Sequence, residues 1–168
     1  MTENNSAGRF LSFDDPPLSE SGRAQCVRLR VDLQRFEFAR CYVSPMLRCR
    51  QTRDIVAPAI PFTIEDALRE VHFGTWEGRT LEWLERNEPD ALARRRRDPV
   101  TFRPPGGESF EDVAQRLATL LENIQSGVPA LVIGHRGTLG VLERLLRGLP
   151  LDSRDVRPLE PAEFVVIG

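Results

Sequence analysis

The sequence contains no lysine: all 23 of its basic residues are arginine. That absence excludes P-loop and Schiff-base chemistry, both of which need a lysine amine. Every cationic contact must instead come from a planar guanidinium fork, a shape that matches phosphate and carboxylate. The codon preference of a GC-rich genome is the bland source of the bias, and its chemical consequence is the same. Histidine is also scarce, with His72 and His135 alone, and the three cysteines, Cys26, Cys41 and Cys49, have no Cys-x-x-Cys spacing. A zinc site is therefore not expected, and the cysteines read as reduced, mostly buried thiols. No apolar run approaches the roughly 18 residues of a membrane helix, and no signal-peptide pattern is visible. A net charge of −2 gives no bulk attraction to nucleic acid or to an anionic membrane. We expect a cytoplasmic protein that partners neither; nothing in the sequence sets an oligomeric state.

What is present fits one soluble domain over residues 1–168, with 40% hydrophobic and 29% charged residues. Ser19 caps a predicted helix through GRAQCVRLRVDLQRF. ARCYVSP reads as a short strand, MLRCRQTRDIVAPAI as a helix stopped at Pro58, and PFTIED as an extended piece. TLEWLERNEPDALARRRRDP gives two short helices broken at Pro89. Ser109 and Asp112 form a capping box for FEDVAQRLATLLENIQ. PALVIGH is a continuous apolar run, the mark of a strand covered on both faces, GTLGVLERLLRG a helix, and AEFVVIG a last strand. Strands alternating with helices predict an α/β fold with a mainly parallel sheet, whose ligand sits at the carboxyl ends of the strands. His135, directly off the PALVIG strand, is well placed for that; a lone histidine is otherwise more often structural.

Five segments then resemble, in order and at family spacing, the histidine phosphatase superfamily, also called the phosphoglycerate mutase-like family. They are DDPPLSESGRAQC, SPMLRCRQT, LREVHFGTWEGRT, PPGGES and VIGHRGTLGVLERLLRG. The resemblance implies a three-layer fold with a central sheet flanked by helices. It implies phosphoryl transfer through a phosphohistidine, without metal or cofactor, on a small phosphorylated metabolite. By motif register, Arg48 matches the phosphate-clamping arginine, Glu70 the proton donor to the leaving oxygen, and His135 the second histidine, which as a cation would contact the phosphoryl group. Glu77 is a competing acid. Asn5 and Arg9 match residues near phosphate and substrate, and Arg136 stands where the family often has glycine. Ser44 reads equally as a hydrogen-bonding or a turn residue. Arg50 and Arg53 read as solvent-facing, Trp76 and Trp83 as packing residues, and Arg94 to Arg97 as a solvated face. In the family, the region of residues 80–105 can cap the pocket.

The family opens with a strand ending in Arg-His-Gly, whose histidine is the nucleophile. In that register Met1 is the residue after the tripeptide, with Thr2, Asn5, Gly8 and Arg9 aligned behind it. Three expectations follow: an upstream Arg-His-Gly lost to a mis-assigned start, a truncated chain, or a degenerate member that binds without catalysis. The leading function is a phosphatase; a phosphoglycerate-type mutase and a non-catalytic phospho-ligand binder are the alternatives.

Overall fold

The computed structural model describes residues 2, 8–125 and 127–168. Helix α1 (Glu20–Leu33) starts where the hydroxyl of Ser19 accepts a hydrogen bond from the Gly22 amide. Strand β1 (Arg40–Val43) leads into helix α2 (Leu47–Val56), and strand β2 (Phe62–Ile64) follows. Single 3-10 turns at Asp66–Leu68 and Gly74–Trp76 carry the chain to helices α3 (Leu81–Asn87) and α4 (Pro89–Arg97). Pro89 opens α4 at a position where its missing N–H costs nothing. Helix α5 (Phe110–Ile124) begins with the Ser109–Asp112 capping box, and strand β3 (Ala130–Ile133) feeds helix α6 (Arg136–Leu146).

The sheet is parallel, in the order β2-β1-β3, with Cys41 opposite Phe62 and Leu131. Alternation along β1 divides the core. Cys41 and Val43 pack with Ile133 against Leu29 and Leu33 of α1 and Cys49 and Val56 of α2. Tyr42 points the other way, with Val113, Leu117 and Leu120 of α5 and Val141 and Leu142 of α6. Helices therefore cover both faces, and the apolar stripe of α5 recurs at the spacing of one helix face. This is the three-layer α/β arrangement, with the ends of β1 and β3 and the starts of α2 and α6 brought to one edge.

The sequence-based expectation fails at three places. AEFVVIG is not a strand: residues 163–168 are irregular, and Val165 and Val166 are exposed. A strand needs a ladder partner, and among the described residues the backbone bond of this segment is the local one from Glu163 to the Glu160 carbonyl, with none to β1, β2 or β3. Arg53 is not solvent-facing; it packs 3.7 Å over the Phe62 ring and pairs with Asp54. Within the arginine run, Arg95 turns inward over Phe10 and Trp76, where burial lowers its pKa. Residues 80–105, the segment that can cap the pocket in the family, form the α3–α4 pair over a small core of Trp76, Leu84 and Leu92. Trp76 is fully buried and donates to Glu88, and Trp83 lies under the Arg79 guanidinium, which fits packing roles for both.

Candidate active site

Where β1 and β3 end, α2 and α6 begin, and the functional side chains stand on these four boundaries. His135 follows β3 as the N-cap of α6, and Ser44 follows β1. Arg48 is on the first turn of α2. His135 is buried, at 7% exposure. Its Nε2 lies 2.8 Å from the Ser44 hydroxyl and its Nδ1 lies 3.2 Å from Nη2 of Arg48. A guanidinium can only donate, so Nδ1 is the acceptor and Nε2 carries the proton that Ser44 receives. Burial, helped by the charges of Arg48 and Arg116, pulls the His135 pKa down to about 3. The low-dielectric surroundings thus favour the neutral imidazole, since they disfavour a second charge beside Arg48.

Arg48 is held from the other side. Its Nη1 donates to the Asp14 carbonyl at 2.9 Å and lies 3.4 Å from the Asp15 carboxylate, which also accepts the Leu47 amide at 2.8 Å. One carboxylate thus ends an unpaired amide of α2 and orients the arginine. Cys49 donates to the Gly134 carbonyl at 3.5 Å, and burial pushes its thiol up to about 12. It is a packing thiol beside the imidazole rather than a nucleophile.

Glu70 arrives from the loop after the 66–68 turn. Its carboxylate accepts from the amides of Gly137 at 3.2 Å, Thr138 at 3.1 Å and its neighbour Val71 at 2.9 Å. These amides and the Arg48 charge favour the anion, yet desolvation outweighs them and raises the carboxyl pKa above its ordinary value. Arg48, Glu70, His135 and Arg136 line one cavity of about 380 Å³. Glu77 is elsewhere: its carboxylate accepts the Ser12 and Phe13 amides and the Ser12 hydroxyl.

Of the remaining residues expected in the site, Arg136 stands at the rim, paired with Glu160 at 3.3 Å. Arg9 does not join them; it bridges to Thr80 and donates to the Gly78 carbonyl at 2.7 Å. Asn5 lies outside the described residues. Sequence reasoning left Ser44 undecided and missed Asp14, Asp15, Cys49 and Thr138. Cys49 and Thr138 were signalled by their places beside Arg48 and His135 at the starts of α2 and α6, whereas Asp14 and Asp15 reach Arg48 from more than 30 residues away and gave no local signal.

A buried imidazole, a guanidinium fork and a protonatable carboxyl are gathered at the carboxyl ends of parallel strands, where ligands of open α/β sheets bind. Comparison narrows the class: the model of the histidine phosphatase superfamily, branch 1, matches residues 1–168, and the chain belongs to that family. It is 30% identical over 165 residues to a glucosyl-3-phosphoglycerate phosphatase of Mycolicibacterium vanbaalenii, covering 91% of this chain and 73% of the relative. It is 31% identical to a 2,3-bisphosphoglycerate-dependent phosphoglycerate mutase of Methylobacterium radiotolerans, over 89% of this chain and 76% of the mutase. Among solved structures, a mycobacterial glucosyl-3-phosphoglycerate phosphatase complexed with VO3 superposes with a TM-score of 0.81 at 28% identity, covering 90% of this chain and 79% of the other. The α-ribazole phosphatase of Shigella flexneri gives 0.82 at 25% identity, covering 96% and 83%. The phosphoglycerate mutase-like fold is thereby established.

Proposed function

We propose that the protein is a metal-independent phosphatase of a small phosphomonoester. The observation that carries this reading is the 3.2 Å approach of the Arg48 fork to His135 beside the raised-pKa carboxyl of Glu70. An attacking imidazole forms a bond to phosphorus as the P–O bond to the alcohol breaks, and Glu70 gives its proton to the departing oxygen. Arg48 holds the equatorial oxygens through the transition state, joined by His135 once a proton on Nδ1 turns that acceptor into a donor. Water then attacks the phosphohistidine, releasing phosphate and the free imidazole.

The attacking group is part of the proposal. His72 packs edge-on against Phe13 and lines a different cavity, and His135 is engaged by Ser44 and Arg48. We assign the nucleophile to an Arg-His-Gly segment ahead of Met1. Among the described residues β3 pairs with β1 alone, and its Leu131 to Ile133 stretch borders the same 380 Å³ cavity as Arg48 and His135. A strand laid on that edge, at a spacing of about 4.8 Å, would end beside them.

The test is hydrolysis of p-nitrophenyl phosphate, without added metal, by the chain extended through its upstream reading frame. Turnover that disappears in His135→Ala supports the reading. An upstream frame without Arg-His-Gly removes the nucleophile, and phosphate binding without turnover favours a binder. The mutase relative supplies the second reading, and interconversion of phosphoglycerates dependent on bisphosphoglycerate would establish it.

A further inference from the structure

The apolar anchors of the loop that presents Glu70 are the buried Leu68 and Val71, with Ala67 and Phe73 packed beside them. What fastens it is Arg116, in the middle of α5 and 46 residues along the chain from Glu70. The guanidinium donates to the carbonyl of Ala67, to that of Arg69 at 2.9 Å and to that of Glu70 at 3.4 Å. It also reaches the Thr138 hydroxyl at 3.3 Å, and that hydroxyl donates to the Arg69 carbonyl at 2.6 Å and lies 3.3 Å from Glu70 Oε1. Behind it, Glu108 pairs with Nε at 2.9 Å and accepts the His72 amide at 2.9 Å. One planar fork thus joins α5, the start of α6 and both ends of the 67–72 loop.

We infer that Arg116 is a positioning residue for Glu70, fixing the loop carbonyls so that the carboxyl stays against the first amides of α6. The inference rests on the proposed acid role of Glu70. Geometry, more than charge, is what the site uses. The fork donates to three carbonyls, of which only that of Arg69 also receives the Thr138 hydroxyl, and a lysine ammonium cannot span them. Loss of the fork lets the loop relax and water reach the Glu70 carboxyl.

Two measurements on Arg116→Gln and the milder Arg116→Lys test this. The first is a ¹³C NMR titration of the Glu70 carboxyl, assigned with Glu70→Gln, which needs no turnover. Positioning predicts that the raised pKa falls back toward an ordinary glutamate in both variants. A purely electrostatic role predicts a further rise on removing the cation in Arg116→Gln and no change in Arg116→Lys. The charged neighbours that also act on this carboxyl, Arg48 above all, stay in place. The second compares an alkyl phosphate, whose leaving oxygen needs a proton, with p-nitrophenyl phosphate, whose phenolate departs unaided. The alkyl rate should fall at least about tenfold more than the nitrophenyl rate. An unchanged or raised Glu70 pKa, or equal losses on both esters, overturns the inference. An upstream-extended parent that hydrolyses neither ester refutes the phosphatase reading, while the titration still decides Arg116.

Discussion

Nδ1 of His135 and Nη2 of Arg48 face each other at 3.2 Å, an acceptor lone pair against a donor-only fork. The pair is held on its far sides by Ser44 and Asp14. A tetrahedral anion entering here would meet a guanidinium whose N–H directions are already set, which lowers the ordering cost of binding.

Arg48→Ala should weaken phosphate or vanadate binding by about 10- to 100-fold, the worth of a charge-assisted hydrogen bond. Arg48→Lys should recover little, since a point charge does not reproduce the fork. Isothermal titration calorimetry reads both, and affinities within twofold of the parent would remove Arg48 from the anion seat.

Stability should fall on the acid side through His135. Its folded pKa of about 3 lies below the ordinary 6.5, so the unfolded chain takes up the proton first. The contribution is complete above about pH 6.5 and is lost progressively as pH falls toward 3. Between pH 8 and pH 5 this is about 2 kcal/mol. Urea midpoints should show the slope in the parent and a shallower one in His135→Gln.

Glu70 has the opposite sign. Its pKa is raised in the fold, so stability is fullest below the ordinary carboxylate range and declines as pH rises through the folded value. Glu70→Gln should therefore lose less stability on the alkaline side than the parent. The same substitution should abolish the alkaline limb of kcat/KM on an alkyl phosphate, with a rate loss of about 10²–10⁴-fold. A limb that survives in Glu70→Gln would assign the acid elsewhere.

Gly137→Ala should disturb Glu70 directly. A methyl at this position would stand 2.8 Å from Glu70 Oε1 and 2.8 Å from Val71 Cγ2. The carboxyl must move off the amides of Gly137 and Thr138, with an overpacking cost of about 1–3 kcal/mol. Thermal melts and alkyl phosphate turnover should both fall; an unperturbed melt would show that the loop yields freely.

Local signals accounted for most of the fold. The Ser19 cap, the Pro89 break and the Ser109–Asp112 box each act within a few residues, and each is found where the sequence puts it. AEFVVIG was illegible because a strand is settled by its neighbours and not by its own apolar run. Arg53 and Arg95 were misread for a related reason: aromatic partners at Phe62, Phe10 and Trp76 draw them in, and none of those is a helix neighbour. In the site, motif register was enough to single out Arg48, Glu70 and His135. It was silent on the neutral state of the imidazole, which follows from burial, and on Arg116, an unremarked arginine within a helix whose partners come from three distant segments.

The run from Phe10 to Asp15 is pinned along its whole length. Phe10 sits with Arg95 against the indole of Trp76, Ser12 is tied to Glu77, and residues 14 and 15 grip Arg48. This makes the segment a taut strap between a buried fluorophore and the anion seat. Tryptophan emission should therefore shift when phosphate draws on Arg48, and a spectrum unchanged at saturating phosphate would show that the strap transmits nothing to the indole.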